Sequence, residues 1–130
     1  MGLKLKIIDL NGIYLEDEVD LLCIKTTAGE LTILANHIPL ITNILISRFY
    51  TIKNRKRIDY AIAGGTLFVS DKDCNIITTA VESQAEIDFK RAELAKARAE
   101  ERINKADKDT DIRRAEVALQ RAVNRLSLKD

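Results

Sequence analysis

The chain has 130 residues, of which 46% are hydrophobic, but it holds only three Phe, three Tyr and no Trp. Any core must therefore be mainly aliphatic. The formal charge is +1, which excludes a global field that would recruit nucleic acid or an anionic membrane. No stretch approaches the roughly 20 apolar residues of a membrane span, so we expect no direct membrane insertion.

The composition changes sharply near residue 83. All five glycines and the single proline lie at or before Gly65, and the segment after residue 83 is rich in alanine and charge. Glycine and proline interrupt helices, whereas alanine favours them. We therefore predict a β-domain over residues 1–82 and a two-helix domain over residues 83–130.

The first domain reads as a series of short strands. Leu3–Ile7 alternates apolar and polar residues, as a strand with one wet face does, and Asn11-Gly12 is a tight-turn signal. About nine or ten short strands at this spacing predict an all-β sandwich or barrel. The clearest of them are 3–7, 13–15, 19–26, 31–34, 41–46, 49–53, 58–62 (ending at Gly64-Gly65), 67–69 and 76–81.

No catalytic or metal site is evident in this domain. His37 is the only histidine, and it precedes Pro39 in a segment predicted to be loop because proline has no amide donor. Cys23 falls in an apolar strand and Cys74 in a polar turn, without metal-ligand spacing. Two such cysteines favour a reduced, intracellular compartment.

The second domain is predicted to be an antiparallel α-helical hairpin. Its first helix starts at Gln84, after a Ser83-x-x-Glu86 capping box, or alternatively at Asp88. Asp109 or Thr110 can cap the second helix. Apolar residues recur there at spacings of three and four, which is typical of a narrow packing seam. They are Ile112, Ala115, Leu119, Ala122 and Leu126.

Four arginines are predicted to meet at one end of this hairpin. If the chain reverses near Lys108, Arg125 lies opposite Arg91, and Arg121 lies between Arg91 and Arg98. Guanidinium groups that converge usually bind a polyanion or intervening carboxylates. The alternative is a solvated charged face balanced by neighbouring glutamates.

Three segments of the chain carry recognisable motifs. Gly29–Leu40 holds Gly-Glu near its start and His-x-Pro-Leu at its end, and Ala63–Leu67 holds a Gly-Gly pair. Ile87–Ala92 fits the pattern Ile/Leu-Asp-x-x-Arg-Ala. Together these segments resemble the epsilon-subunit family of bacterial F-type ATP synthase, in which the third motif occurs in members that bind ATP. Thr32 and Ala35 stand where the family usually has Gly and Pro, and the resemblance covers essentially the whole chain.

The resemblance implies a non-catalytic subunit of the rotor, in the central stalk of a proton- or sodium-translocating synthase. The sandwich would bind the gamma subunit and the ring of c subunits, with Glu30, His37 and Pro39 at or near the ring. The protein would be peripheral, on the cytoplasmic face of the bacterial plasma membrane.

The resemblance also implies a regulatory role for the hairpin. In this family the helices lie folded on the sandwich or extend into the alpha/beta catalytic head, where they restrain ATP hydrolysis. No cofactor is required, but ATP would be a regulatory ligand that stabilises the folded form. The matching positions are Glu82, Ile87, Asp88, Arg91, Ala92, Arg98, Arg121 and Arg125. The arginines would neutralise phosphates, and Glu82 and the backbone around Asp88 would accept from the adenine amine.

Three alternatives remain open on the sequence. The same rotor subunit can have an ATP-insensitive hairpin whose arginines contact the catalytic head. A nucleic-acid adaptor would use the basic helix face, which the balanced charge disfavours. An ATPase would need a phosphate loop and a metal-binding carboxylate, and neither is evident.

Overall fold

The computed structural model describes residues 2–106 and 111–129. In this part of the chain, eight strands precede two helices. The strands are β1 (Leu3–Asp9), β2 (Gly12–Val19), β3 (Leu21–Thr26), β4 (Gly29–Ile33), β5 (His37–Lys53), β6 (Lys56–Asp71), β7 (Asp73–Ile77) and β8 (Val81–Ser83). A 3₁₀ turn, Gln84–Glu86, leads to helices α1 (Phe89–Asn104) and α2 (Ile112–Leu126).

The strands form one folded sheet in the order β2-β1-β7-β6-β5-β3-β4, with β8 paired to β6. Strands β1 and β7 are parallel, and the other pairs are antiparallel. The sheet encloses one mainly aliphatic core, to which each of the eight strands contributes. The predicted all-β sandwich followed by an α-helical hairpin is therefore confirmed.

The predicted number of strands is too high, because two pairs of predicted strands are continuous, whereas only one predicted strand, 76–81, is divided, between β7 and β8. Residues 41–46 and 49–53 both belong to β5, and residues 58–62 and 67–69 both belong to β6. These two long strands pair with each other along most of their length. Apolar runs broken by a polar residue or a glycine looked like separate strands in the sequence.

Gly64 and Gly65 lie inside β6, not at its end as predicted. Both have positive φ, 82° and 145°, which side chains on L-residues rarely allow. A Cβ on Gly65 would collide with the carbonyl oxygen of Ile77. At this point β6 passes from pairing with β8 to pairing with β7, so the glycines allow the strand to serve both parts of the sheet.

The segment around His37 and Pro39 was predicted to be loop, and this is wrong. Strand β5 begins at His37, which pairs with Asp71, and regular pairing resumes at Leu40. The register shifts between these two pairs, so Pro39 lies where the ladder is interrupted. A residue without an amide hydrogen is tolerated at such a bulge.

Both cysteines are free and buried. Cys23 lies in β3, as predicted, whereas Cys74 lies in β7 with no exposed surface, so its predicted place in a polar turn is wrong. Burial raises the pKa of the Cys74 thiol to about 12. Cys74 is therefore an inert core residue.

The α-helix of the hairpin does not begin at Gln84. The capping-box residues instead close the 3₁₀ turn, where Ser83 N donates to Glu86 Oε1 at 2.9 Å. Helix α1 has Asp88 as its N-cap, the alternative start that the sequence offered. Helix α2 is capped by Asp111. The predicted caps Asp109 and Thr110, and the predicted reversal at Lys108, lie outside the described residues.

The two helices pack through small side chains. Four alanines, at intervals of seven in each helix, are almost completely buried between them: Ala92, Ala99, Ala115 and Ala122. Of the other predicted seam residues, Leu119 and Leu126 are half-buried and Ile112 is exposed. Alanine allows two helices to approach closely but buries little apolar area. The hairpin therefore depends on its contacts with the sheet.

Those contacts are concentrated at the C-terminal end of α2. Asn124 Nδ2 donates to Ser47 O of β5 at 2.7 Å, and Arg48 donates to Ser127 O at 2.9 Å. Below them lies a small apolar cluster, separate from the main core, formed by Ala61, Ile87 and Leu128 with Phe89 against it.

Candidate functional site

A groove of about 440 Å³ lies where the start of α1, the end of α2 and strand β8 meet. We call it the arginine groove. It is lined by Glu82, Glu86, Asp88, Arg91, Ala92, Ala95, Arg98 and Arg125. Six of these are charged, three of each sign. Such a groove suits a guest that carries negative charge at one end and hydrogen-bond donors at the other.

Helix α1 provides the longest wall of the groove. Arg91, Ala95 and Arg98 follow one another at spacings of four and three, so they share one face of the helix. Asp88 fixes the start of this wall, because its Oδ1 accepts from Arg91 N at 3.1 Å. Ala95 keeps the space between the two guanidinium groups open.

The opposite wall is formed by an ion pair between the two domains. Arg125 Nε, near the end of α2, donates to Glu82 Oε1 of β8 at 2.8 Å. Both side chains are about one third exposed, at 30% and 32%. The pair places a guanidinium group from α2 opposite the α1 wall.

Arg91 and Arg98 are less constrained than Arg125. Among the residues that the structure describes, neither forms a salt bridge, and both are exposed. Arg98 Nε makes only a long contact, 3.4 Å, to Leu94 O. Their charges are therefore available to an anionic ligand without the loss of an existing pair.

Two residues of the predicted set lie outside the arginine groove. Arg121 and Asn124 line a much smaller neighbouring pocket. The only residues that line both this pocket and the arginine groove are Glu82 and Arg125. Ile87 is buried beneath the link between the domains. Ile87 therefore supports the groove through packing.

Glu86 and Tyr14 are site residues that the sequence did not reveal as such. Glu86 was assigned only to the capping box, yet it lines the groove. Its Oε1 accepts from Ser83 N and from the hydroxyl of Tyr14 on β2. These two hydrogen bonds hold the pKa of Glu86 below its usual value, and the one from Tyr14 has the larger effect. Tyr14 precedes Glu86 by 72 positions, so no local pattern links them.

The residues predicted to face a partner lie at a different part of the sheet. Glu30 is on β4, where Cys23 Sγ donates to its Oε1 at 3.3 Å, while His37 and Pro39 are at the start of β5. Three large apolar side chains near the β4–β5 turn are strongly exposed: Leu34, Ile38 and Ile41, at 51%, 79% and 71%. Several exposed apolar side chains within eight residues are typical of a protein-binding surface.

Both parts of the chain match family models. Residues 2–84 match the model described as ATP synthase, Delta/Epsilon chain, beta-sandwich domain, and residues 85–129 match the long alpha-helix domain of the same chain. The chain belongs to the ATP synthase delta/epsilon chain family. The predicted resemblance is thereby confirmed, and the chain is a non-catalytic subunit of this kind, not an enzyme.

Curated relatives agree with this assignment. The ATP synthase epsilon chain of Staphylococcus aureus (strain JH9) is 41% identical over 130 residues, which cover 98% of this chain and 96% of the relative. The sodium ion specific ATP synthase epsilon chain of Acetobacterium woodii is 39% identical over 108 residues, which cover 82% of this chain and 81% of the relative.

Solved structures share the fold at low sequence identity. A chain in the cryo-EM structure of the Euglena gracilis mitochondrial ATP synthase (OSCP, F1 and c-ring) aligns with a TM-score of 0.81 and 22% identity, over 95% of this chain and 78% of that chain. A chain in the cryo-EM structure of the Tetrahymena thermophila mitochondrial ATP synthase (central stalk and c-ring) aligns with a TM-score of 0.59 and 14% identity. This alignment covers 95% of this chain and 97% of that chain.

Within residues 2–106 and 111–129, neither helix has the length and apolar character needed to cross a membrane. The same residues contain no group of three or more acidic, histidine or cysteine side chains placed to hold a metal ion.

Proposed function

We propose that this family member is a central-stalk rotor subunit whose sandwich joins the gamma subunit to the c-ring. The exposed apolar residues Leu34, Ile38 and Ile41 support this proposal, because they flank His37 and Pro39 in the sequence. Such a surface needs a protein partner to cover it. The protein would then be peripheral on the cytoplasmic face of the bacterial membrane.

We further propose that the hairpin inhibits ATP hydrolysis when it extends toward the alpha/beta head, and that ATP stabilises the folded form. The observation that carries this proposal is the arginine groove, since its walls come from α1, α2 and β8. A ligand that contacts all three can bind only while the hairpin is folded on the sheet.

The roles within the groove follow from charge. Arg91 and Arg98 would contact phosphate oxygens, because neither has an ion-pair partner within the described residues. Arg125 would join them from α2. Arg121 would act from the neighbouring pocket, and Ala92 would let the phosphates approach the helix backbone.

The size of the effect follows from mass action. A ligand that binds only the folded form adds free energy in proportion to the logarithm of its concentration relative to Kd. At about ten times Kd the gain is roughly 1.4 kcal/mol, enough to change the ratio of the two forms about tenfold. The alanine seam makes the hairpin sensitive to a change of this size.

Isothermal titration of the chain with ATP tests the sensor. We expect Arg91→Ala and Arg98→Ala each to weaken binding by about ten- to a hundredfold, since each removes a charge-assisted hydrogen bond. Arg102→Ala, on the same helix but outside the groove, is the matched control and should bind as the wild type does. Absence of binding at millimolar ATP would favour the ATP-insensitive hairpin, whose arginines contact the head.

The inhibitory role is tested in the whole synthase. ATP hydrolysis is compared between complexes assembled with the full chain and with a chain that ends at residue 82. We expect faster hydrolysis without the hairpin. Equal rates would remove inhibition from the proposal but leave the rotor role intact.

A further inference from the structure

Glu86 is the one acidic residue of the arginine groove that is not committed to a partner from the helices. Glu82 is paired with Arg125 at 2.8 Å, and Asp88 caps α1 through Arg91 N. The Oε1 of Glu86 accepts two hydrogen bonds, but among the described residues its Oε2 accepts none. This oxygen is therefore free to accept from a ligand.

The position of Glu86 is fixed from the sheet. The hydroxyl of Tyr14 donates to Glu86 Oε1, and the Tyr14 ring packs edge-on against Tyr60, with centroids 6.4 Å apart. Tyr60 in turn stacks on Phe49 of the main core, at 4.8 Å. Three aromatic rings thus connect the core of the sandwich to one wall of the groove.

A carboxylate held in an arginine groove restricts what can bind there. A carboxylate accepts hydrogen bonds and repels phosphate. Inorganic polyphosphate would gain the contacts to Arg91 and Arg98 but would meet the negative charge of Glu86. A nucleotide can place its phosphates on the arginines and turn O–H or N–H donors of the nucleoside toward Glu86.

We propose that Glu86 contacts the nucleoside part of the bound nucleotide and selects nucleoside triphosphates over inorganic polyphosphate, with Tyr14 as its positioning residue. This inference rests on the proposed nucleotide site. It assigns Glu86 a contact with the ligand and Tyr14 an indirect role, through the orientation of the Glu86 carboxylate.

The test measures two affinities for each variant of the full chain, one for ATP and one for inorganic tripolyphosphate, by isothermal titration. In Glu86→Gln, the amide oxygen still accepts from Ser83 N and Tyr14, but the charge is gone. We expect ATP to bind about tenfold more weakly, because a hydrogen bond to a charged acceptor is lost, and tripolyphosphate to bind more tightly.

Tyr14→Phe keeps the ring and removes only the hydroxyl. We expect it to lower the ratio of ATP to tripolyphosphate affinity in the same direction as Glu86→Gln, by a smaller factor. Glu100→Gln makes the same change of charge on α1 outside the groove, and it should leave both affinities unchanged.

Two different results would overturn the inference, and they distinguish failure of the selectivity proposal from failure of the nucleotide site. If Glu86→Gln and Tyr14→Phe weaken both ligands by the same factor, their role is only structural and the selectivity proposal is wrong, although the nucleotide site stands. If the wild type binds neither ligand, the nucleotide site itself is wrong and this inference fails with it.

Discussion

Arg125 Nε lies 2.8 Å from Glu82 Oε1, so one ion pair joins the end of α2 to the last strand of the sandwich. Because both side chains are about 30% exposed, solvent screens the pair only in part. A double-mutant cycle of Glu82→Gln and Arg125→Gln, followed by urea unfolding, should give a coupling energy of about 1 kcal/mol.

The exposed pair Lys129–Glu93 is a suitable control for that cycle. It also joins the chain end to α1, at 3.1 Å, but its side chains are 59% and 55% exposed. Its coupling energy should be smaller, about 0–0.5 kcal/mol. Additive effects at Glu82 and Arg125 would show that their contact contributes nothing to docking.

Asn124 is expected to be the most sensitive polar contact between the hairpin and the sheet. Its Nδ2 donates to Ser47 O at 2.7 Å and approaches Ile62 O at 3.4 Å. Asn124→Ala should cost about 1 kcal/mol, and Asn124→Asp about 2 kcal/mol, since a carboxylate would face two carbonyl oxygens. Faster hydrogen exchange throughout α2 would report the loss of docking.

Gln120, one helical turn before Asn124, provides the comparison for that measurement. Its side chain is exposed, so Gln120→Ala removes a polar group of similar size without removing a contact to the sheet. Exchange in α2 should then match the wild type. The predicted role of Asn124 would be contradicted if both variants exchanged alike.

The buried alanines of the hairpin are expected to tolerate no larger side chain. Ala122 is 1% exposed against α1, so Ala122→Val should destabilise the hairpin by about 1–3 kcal/mol through overpacking. Ala118→Val makes the same change on an exposed position of α2 and isolates the small cost in helix propensity. Thermal unfolding of both variants compares these costs, and equal losses would argue against close packing.

Glu86 should make stability depend on pH in the acidic range. Hydrogen bonds from Tyr14 and from Ser83 N lower the pKa of Glu86 below its ordinary 4.5. The unfolded chain therefore binds this proton first as the pH falls. The resulting stabilisation is complete above pH 4.5 and is lost as the pH falls through the folded-state pKa.

The measurement is the difference in unfolding free energy between the wild type and Glu86→Gln, taken from pH 7 downward. We expect the advantage of the wild type to begin to decrease below about pH 4.5 and to disappear below the folded-state pKa of Glu86. In a Tyr14→Phe background the change with pH should be smaller, because the main cause of the lowered pKa is removed. A difference that does not vary with pH would contradict this account.

Much of the architecture was predictable because it depends on local pattern. Alternation of apolar and polar residues identifies strands, and the alanine-rich, glycine-free segment after residue 83 identifies helices. Spacings of three and four place Arg91 and Arg98 on one helix face whatever the tertiary fold. The N-cap Asp88 could also be proposed from the sequence, because a helix cap depends only on the residues next to it.

Other features were misread because they depend on neighbours distant in sequence. Gly65 lies inside a strand because the backbone of Ile77 passes beside it, and Pro39 is accepted in β5 because the register shifts there. Neither condition can be recognised from the residues next to Gly65 or Pro39 in the sequence. Cys74 is buried for a similar reason, since β7 pairs between β1 and β6 and the Cys74 side chain belongs to the core.

The sequence by itself therefore determined the two structural classes and the helix faces that carry the arginines. Only the tertiary structure decided that Arg125 pairs with Glu82, that Arg121 lies in a neighbouring pocket and that Tyr14 holds Glu86. The physical reason is the distance along the chain over which each interaction operates, since the periodicity of helices and strands is set by residues only a few positions apart. The groove is formed by side chains from β8, α1 and α2, and only folding brings these elements together.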